Sequence, residues 1–314
     1  MKSIVTLTVN PALDISASVS RVVPDRKLRC GTPVYEPGGG GINVSRVIAR
    51  LGGRSLALCT GGGYTGHFFQ ELLGREGVPH RTVPIEEPTR ESFMIFEEST
   101  GQQYRFGMPG PTIREEEWGR LIDALFALDP RPDYLVGSGA LAPGVPEDFY
   151  ARLARAGKRL NARVVVDTSG KALCQAVREP VYLIKPNYRE LIDLVGREPR
   201  DETEQETLAL SLVREGGCEV VLLSLGAAGV LLATREGTER LRAPVVPVRS
   251  KVGAGDSTVA GVVLSLAQGR PIRDAVLFGL AAGAAAVMTP GSELCRRDDV
   301  ERLHRCILSG ASTG

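Results

Sequence analysis

The sequence predicts an α/β protein with a doubly wound, mainly parallel sheet and a second, small β unit. Apolar, strand-like runs alternate with helical patterns along most of its 314 residues, and this alternation is typical of a parallel sheet covered by helices on both faces. The runs are apolar throughout, as expected for strands buried on both sides. Two segments, 15–35 and 91–106, interrupt the alternation because they contain strand-like pieces and no helix.

Six apolar runs supply the expected strands of the main sheet, and helical periodicity fills the intervals between them. The predicted strands are Ile4–Val9, Ser55–Cys59, Tyr134–Val136, Val164–Val166, Val181–Ile184 and Val220–Leu223. The predicted helices include Asn43–Leu51, His67–Arg75, Glu115–Leu128, Glu147–Leu160 and Thr203–Glu215.

The two interrupting segments predict a small antiparallel unit beside the main sheet. Residues 93–96 are all apolar, so the alternation of a half-exposed strand is absent there. We therefore expect both faces of this unit to be covered, by a ligand or by a second subunit. The four pieces are Ile15–Val19, Pro33–Tyr35, Ser92–Glu97 and Gln103–Phe106.

Composition and charge exclude several classes of function. Hydrophobic residues make up 43% of the chain and charged residues 24%, as in ordinary globular proteins. The net charge of +1 and the lack of a basic cluster disfavour nucleic acid and anionic membranes as partners. No segment has the pattern of a signal peptide or of a membrane-spanning helix. The six cysteines follow no zinc spacing, so we expect a cytoplasmic protein with reduced thiols.

The strongest functional signal is the segment from Val252 to Ser257, which precedes an apolar helical run. Small residues before a helix leave backbone N–H groups free, and the helix dipole adds positive charge, so the segment predicts an anion hole. A carboxylate at this place, Asp256, needs a purpose. It could accept a proton from an attacking hydroxyl, or it could simply be the N-cap of the helix.

A second signal follows the strand Val181–Ile184. Asn187 and Glu190 lie three residues apart in the first turn of a helix, so they share one face. Two oxygen ligands at the carboxyl end of a strand suit a Mg²⁺ ion that keeps most of its waters. A capping box, in which each residue satisfies the backbone of the other, explains the same spacing.

Two glycine-rich segments allow further interpretations. Four glycines, Gly38–Gly41, precede Asn43 and predict close approach of the backbone to a ligand, or else a hinge. The segment Gly61–Gly66 fits the G-x-G-x-x-G fingerprint, follows a strand and has Glu86 and Glu87 about 20 residues later. It supports a rival hypothesis, an NAD-dependent oxidoreductase, although that function leaves the Asp256 and Asn187 motifs unexplained.

Taken in order along the chain, these motifs resemble the ribokinase (PfkB) family of sugar kinases from end to end. The motifs are TLTVNPALD, GGGGINVSRVIARLGG, KPNYREL, SLGAAGVLL and VGAGDST. Three further segments, LRC-x-x-PVYEPGGGGINV, YRF-x-MPG and GSELC, are similar to the phosphofructokinase and tagatose-phosphate kinase branch, and above all to its minor-type bacterial 6-phosphofructokinases.

The resemblance implies a role for each motif residue. The implied catalytic base is Asp256, with an anion hole at Gly253, Ala254 and Gly255. The implied ligands of Mg²⁺ are Asn187 and Glu190. The implied contacts of ATP are Lys185, Asn187, Ser224, Gly226 and Gly229. The implied contacts of the sugar are Asp14, Gly39, Asn43 and a residue at position 139, in the Ser138-Gly139 pair. The implied contacts of the sugar's phosphate are Lys27, Arg90 and Arg105.

The resemblance also implies an architecture and an assembly. The core comprises residues 1–13, 38–89 and 108–314, and a β lid over the sugar comprises residues 14–37 and 90–107. Two lids pair into a homodimer, in which Lys27 reaches the neighbouring site. A potassium site is implied at Ser250, Val252, Ala286, Thr289 and Gly291.

The expected activity is therefore ATP-dependent phosphorylation of fructose 6-phosphate to fructose 1,6-bisphosphate, a step of glycolysis. The fructose-1-phosphate and tagatose-phosphate relatives typically have Lys at the position of Gly40, which favours fructose 6-phosphate here. Those two sugar phosphates remain alternative acceptors. A catalytically silent sugar-phosphate sensor is a further alternative, and the presence of Asp256, Asn187 and Glu190 together argues against it.

Overall fold

The computed structural model describes residues 1–291 and 293–309 and contains two β-sheets within them. The strands of the larger sheet are β1 (Ile4–Thr8), β4 (Leu56–Gly61), β5 (His80–Pro84), β8 (Tyr134–Ser138), β9 (Arg163–Asp167), β10 (Val181–Ile184), β11 (Cys218–Ser224), β12 (Val230–Thr234) and β13 (Gly237–Leu241). The strands of the smaller sheet are β2 (Ala12–Val19), β3 (Val34–Gly38), β6 (Arg90–Glu97) and β7 (Gln102–Gly107).

The helices alternate with the strands of the larger sheet. They are α1 (Gly40–Arg50), α2 (Gly63–Arg75), α3 (Glu115–Phe126), α4 (Phe149–Leu160), α5 (Gly170–Ala176), α6 (Tyr188–Val195), α7 (Glu202–Arg214), α8 (Ala254–Ala267), α9 (Ile272–Val287) and α10 (Arg297–Ser309).

The larger sheet confirms the predicted fold class. Its strand order is β13-β12-β11-β10-β9-β8-β1-β4-β5, and every neighbouring pair is parallel except β11–β12 and β12–β13. Strand β1 lies inside the sheet and the chain extends it in both directions, which is the doubly wound arrangement. Three of its strands, β5, β12 and β13, were not predicted from the sequence.

Apolar side chains on the two faces of this sheet form separate clusters. On β8, for example, Leu135 joins one cluster while Tyr134 and Val136 join the other, as the alternation of side chains along a strand requires. Helices α3 to α7 cover the first face, and α1, α8, α9 and α10 cover the second. Burial on both sides explains why the strands are apolar throughout.

The smaller sheet has the order β3-β2-β6-β7 and contains the four predicted β pieces. Its two outer pairs are antiparallel, but the central pair β2–β6 is parallel, so the prediction of a purely antiparallel unit is wrong. The reason is that the chain leaves the core twice. Each excursion begins with a strand that starts beside the core, at Ala12 and at Arg90, and these two residues are directly paired.

Within the residues described, the structure contains no helix that is both long enough and apolar enough to span a bilayer.

Candidate active site

A cavity of about 490 Å³ lies between the two sheets. The smaller sheet forms one wall of the cavity. The other wall is formed by the residues that follow β3, the residue that follows β8, and the loop that leads into α8. Because loops at the carboxyl ends of parallel strands are where α/β proteins bind ligands, this is the expected place for a site. The polar and glycine residues that line it include Asp14, Gly39, Gly40, Asn43, Arg90, Ser92, Arg105, Gly139, Gly253 and Asp256.

Asp256 lies in the first turn of α8, where the N-cap is Gly253 with a φ of 70°. The alternative that Asp256 is only the N-cap is therefore wrong. Its carboxylate accepts a hydrogen bond of 2.8 Å from the Nδ2 of Asn43. Burial, together with the negative charge of Asp167, raises the pKa of Asp256 to about 6. A carboxyl group with this pKa is ionised at neutral pH and is a stronger proton acceptor than an ordinary aspartate.

The two glycines at the start of α8 let neighbouring side chains approach the backbone closely. A Cβ on Gly253 would lie 2.4 Å from the Cδ2 of Leu294, and one on Gly255 would lie 3.2 Å from the Nζ of Lys185. The first N–H groups of a helix have no partner within the helix, so this turn can donate to an anion. The geometry supports the predicted anion hole at Gly253, Ala254 and Gly255.

Lys185 adds a buried positive charge to this place. Its Nζ lies 3.2 Å from the Oδ1 of Asp167, at the end of β9. Burial alone would lower the pKa of Lys185, but the ion pair with Asp167, helped by Asp256 and Glu190, raises it. Asp167 was not singled out in the sequence. The signal was a carboxylate at the end of a buried strand, β9, next to strand β10, which Lys185 directly follows.

Asn187 and Glu190 form a capping box at the start of α6. The Oδ1 of Asn187 accepts from the backbone of Glu190 at 3.0 Å, and the Oε2 of Glu190 accepts from the backbone of Asn187 at 2.8 Å. Burial and the nearby Asp167 raise the pKa of Glu190. Among the residues described, no three His, Cys, Asp or Glu side chains form a metal cage. The oxygen donors present fit a Mg²⁺ ion held mainly by waters and nucleotide phosphates.

The predicted nucleotide loop lies directly beside this capping box. Asn187 forms a parallel bridge with Ser224, and the backbone N–H of Ser224 donates to Pro186 at 2.8 Å. Gly229 has a φ of 108°, and a Cβ there would lie 2.1 Å from the carbonyl oxygen of Leu241, so only glycine fits. Gly226, Gly229 and Ser224 lie outside the lining of the cavity itself.

On the opposite wall, Asp14 and Arg90 project from neighbouring strands of the smaller sheet. Burial raises the pKa of Asp14 to about 6, and the positive charge of Arg90 opposes that shift. The guanidinium of Arg90 donates to the Oγ of Ser92 at 3.2 Å and to the carbonyl of Asn10 at 3.5 Å. Its buried Nε has no hydrogen-bond partner among the described residues. With Arg105, which lines the same wall, Arg90 can bind an anion.

Two of the predicted contacts with the sugar phosphate need separate description, Lys27 and position 139. Lys27 is exposed between β2 and β3 and does not line the cavity. Position 139 is a glycine that does line it, whereas the serine of that pair, Ser138, is buried.

The residues of the predicted potassium site lie on two segments, 250–252 and 286–291, which are hydrogen-bonded to each other. The hydroxyl of Thr289 donates to the carbonyl of Ala286 at 2.8 Å, and the backbone N–H of Ser250 donates to Val287 at 3.2 Å. The hydroxyl of Ser250 contacts Gln103 of the smaller sheet at 3.3 Å. This segment therefore contacts the smaller sheet. Val252 and Gly291 lie beside it, and Gly291 has a φ of 63°.

The glycine-rich turn Gly61–Gly66 packs closely against the loop that follows β5. A Cβ on Gly62 would lie 2.2 Å from the carbonyl oxygen of Glu87 and 2.5 Å from that of Ile85. Close packing therefore explains these glycines without a bound dinucleotide. The rival hypothesis of an NAD-dependent oxidoreductase is overturned by the family comparison below.

Comparison with known families decides the class of the protein. The profile of the pfkB family carbohydrate kinases matches residues 8–299. The chain belongs to this family. The family resemblance seen in the motifs is thus confirmed, and the pfkB-family kinase is a phosphotransferase that acts on a sugar hydroxyl.

The relatives of this pfkB-family kinase include 6- and 1-phosphofructokinases. It is 46% identical to the ATP-dependent 6-phosphofructokinase isozyme 2 of Mycobacterium tuberculosis, with 99% of this chain and 91% of the relative covered. It is 32% identical to the 1-phosphofructokinase of Bacillus subtilis, with 96% and 97% covered. The crystal structure of Escherichia coli phosphofructokinase-2 in complex with potassium is 39% identical and matches with a TM-score of 0.94, covering 98% of this chain and 100% of that one.

Proposed function

We propose that this pfkB-family kinase transfers the γ-phosphoryl group of ATP to the free primary hydroxyl of fructose 6-phosphate. The observation that carries the proposal is one cavity with two different walls. Asp256 and the anion hole form the wall where a hydroxyl can be activated, and Arg90 and Arg105 form the wall where an existing phosphate can bind. The names of its relatives in Mycobacterium tuberculosis and Escherichia coli support the same activity.

In the proposed reaction, the sugar hydroxyl oxygen attacks the γ-phosphorus while its proton passes to the carboxylate of Asp256. The bond between the γ-phosphorus and the bridging oxygen of ADP breaks at the opposite side. Asn43 holds the carboxylate through its 2.8 Å hydrogen bond. The first-turn N–H groups of α8 and the charge of Lys185 stabilise the negative charge on the transferred group.

We propose separate sites for two cations, Mg²⁺ and K⁺. Mg²⁺ would be held at the Asn187 and Glu190 end of the site, with ATP, and would neutralise charge on the phosphates. Potassium would be held near Ser250, Val252, Ala286, Thr289 and Gly291, and the potassium complex of the Escherichia coli relative supports this.

We further propose a homodimer formed through the smaller sheets. The large side chains Tyr35, Phe96 and Phe106 of the smaller sheet are exposed in the single chain. Lys27 is also exposed and does not line its own cavity. Pairing of two lids would cover such side chains and would let Lys27 reach the neighbour's sugar phosphate. We expect the enzyme to work in the cytoplasm, where both of its substrates occur.

A substrate panel tests the proposed function. Release of ADP is measured with Mg²⁺ and ATP against fructose 6-phosphate, fructose 1-phosphate and tagatose 6-phosphate, with K⁺ and with Na⁺ at equal ionic strength. We expect the highest kcat/KM with fructose 6-phosphate and a lower rate without K⁺. A higher kcat/KM with fructose 1-phosphate or tagatose 6-phosphate would leave the kinase activity in place but show that the proposed acceptor is wrong.

Gly40 gives a structural reason for the expected preference. A Cβ at this position would lie 2.3 Å from the Oγ of Ser138 and 2.7 Å from the backbone nitrogen of Gly139. A lysine there, as is typical of the fructose-1-phosphate and tagatose-phosphate relatives, requires a different position of the Ser138-Gly139 segment. The cavity of this chain is therefore not shaped around a lysine.

The pH profile tests the state of the catalytic carboxylate. Asp256 must be ionised to accept a proton, and because burial raises its pKa to about 6, kcat should fall as the pH drops below about 6. We expect this acid limb at saturating sugar phosphate, so that weaker phosphate binding does not contribute. Asp14 has a similar pKa, so the Asp14→Asn variant is the control. An acid limb that disappears in this variant would transfer the assignment to Asp14.

Replacing Glu190 by Gln separates metal binding from helix capping. Glutamine can still accept the backbone hydrogen bond of the capping box, but it removes the charge that attracts Mg²⁺. We expect the apparent Mg²⁺ requirement to rise several-fold with little change in the unfolding midpoint. An unchanged Mg²⁺ titration would leave Glu190 with the capping role alone. Glu202→Gln, which removes an exposed glutamate from the first turn of α7 away from the site, is the matched control.

A further inference from the structure

Arg46 is the largest fully buried side chain of the described chain, and the reaction does not use it. It lies on α1, one turn after Asn43, and is only 1% exposed. A buried guanidinium is costly unless all of its donors are paired. Because this charge is nevertheless buried, the residues that pair with Arg46 should indicate its role.

The guanidinium connects three separate elements. Its Nε and Nη2 donate to the carboxylate of Glu76, the residue after α2, at 2.7 and 2.6 Å. Its Nη2 also donates to Glu36 of β3 at 2.9 Å, and its Nη1 donates to the carbonyl of Pro37 at 2.9 Å. Glu76 therefore joins Arg46 to the core, whereas Glu36 and Pro37 join it to β3, the strand of the lid that leads back to the core.

The lid contacts of Arg46 lie next to the sugar side of the cavity. Glu36 is the residue directly paired with Asp14 across β2 and β3. Two residues after Glu36, a Cβ on Gly38 would lie 2.1 Å from the Oδ2 of Asp14. Any rotation of β3 relative to α1 would therefore displace the carboxylate of Asp14, which lines the cavity.

We infer that Arg46 is a positioning residue for the acceptor sugar: it fastens the lid strand β3 to the core helix α1 and so fixes Asp14 relative to Asp256. The same helix carries Asn43, which holds Asp256 at 2.8 Å. Asp14 and Asp256 are thus held from two points of α1, three residues apart. The positive charge of Arg46 also opposes the burial that raises the pKa of Asp14.

The pattern of contacts differs from that of an ordinary structural ion pair. In an ordinary structural ion pair, Glu76 would bind one edge of the guanidinium, and the other edge would be paired within the core. Here the other edge is used for one side chain and one carbonyl of consecutive lid residues, Glu36 and Pro37. Lysine cannot reproduce this planar set of donors, so Arg46→Lys keeps the charge and loosens the attachment.

The test compares variants that cut the two sides of the cluster. Glu36→Ala removes the lid anchor, Glu76→Ala removes the core anchor, and Arg46→Lys weakens both. Arg50→Lys is the matched control. Arg50 lies one turn further along α1, and its one side-chain hydrogen bond to the described residues is long, 3.3 Å to the carbonyl of Leu294. For each variant, KM is measured for the sugar phosphate and for ATP, together with the unfolding midpoint.

We expect Glu36→Ala and Arg46→Lys to raise the KM for the sugar phosphate about tenfold while the KM for ATP changes less than twofold. Glu76→Ala should lower the unfolding midpoint with a smaller change in the ratio of the two KM values, and Arg50→Lys should resemble the wild type. Equal changes of both KM values in Glu36→Ala, or identical behaviour of Glu36→Ala and Glu76→Ala, would show that the cluster is only structural and would overturn the inference.

The kinetic arm of this inference rests on the proposed function, so a second measurement is independent of turnover. Hydrogen exchange of the unliganded protein reports the attachment of the lid directly. We expect the amides of β2 and β3 to exchange at least tenfold faster in Glu36→Ala than in the wild type and at the wild-type rate in Arg50→Lys. Unchanged exchange would reject the inference even if the kinase activity is confirmed. Faster exchange would support it even if the wild type fails to phosphorylate fructose 6-phosphate.

Discussion

Replacing Asp256 by Asn should lower kcat by roughly 10²-fold or more, because the amide cannot accept the proton of the attacking hydroxyl. Binding of ATP should change little. Asparagine has nearly the same shape, and its side-chain oxygen can still accept the hydrogen bond that Asn43 now donates at 2.8 Å. The measurement is ADP release under saturating substrates, with the Kd for ATP determined separately.

A control must show that removing an acidic residue from the start of a helix is not itself responsible. Asp274 lies in the first turn of the neighbouring helix α9, is exposed and does not line the cavity. Asp274→Asn removes the same charge and should leave kcat unchanged. Near-normal turnover of Asp256→Asn would contradict its role as the base and would reduce the site to phosphate binding.

The main sheet could be predicted from the sequence because its physical signal is strong and local. Strands buried on both faces must be apolar throughout, and the runs at Val164–Val166 and Val220–Leu223 show this clearly. The antiparallel strands β12 and β13 at one end of the sheet were missed, as was the edge strand β5 at the other end. The side chains of β13 are mostly only half-buried, so its sequence lacks a continuous apolar run.

The parallel pairing of β2 and β6 could not be predicted because it depends on where the chain returns to the core. Residues 20–89 separate the two strands, and no local pattern reports their relative direction. The same limit applies to the cluster around Arg46. An arginine in a helix is usually exposed, and its burial follows only from the meeting of α1, α2 and β3.

The candidate site was predictable where its residues lie in one short motif. Gly253 to Asp256 and Asn187 to Glu190 each carry their geometry in adjacent residues. Asp167 was missed because its partner Lys185 follows a different strand, β10, and lies 18 residues away along the chain. The sequence also cannot distinguish a capping box from a metal motif, because both use Asn187 and Glu190 at the same spacing.

Arg90 should provide the second large effect, on binding of the sugar phosphate. Arg90 lines the cavity, and within the described part of the chain its guanidinium makes only long hydrogen bonds, to Ser92 at 3.2 Å and to Asn10 at 3.5 Å. Its buried Nε has no partner among the residues described, so the side chain retains strong donors for a ligand. A charge-assisted hydrogen bond contributes about 1.5–3 kcal/mol, and each 1.4 kcal/mol is about a factor of ten in affinity.

Arg90→Ala should therefore raise the KM for fructose 6-phosphate roughly 10- to 100-fold and leave the KM for ATP within about twofold. Arg105→Ala should act in the same direction but less strongly, because Arg105 is exposed and its charge is more screened. Arg81→Ala, an exposed arginine on the edge strand β5, is the matched control. Equal increases of both KM values would place the phosphate of the sugar elsewhere, since an arginine bound to that phosphate cannot weaken the two substrates alike.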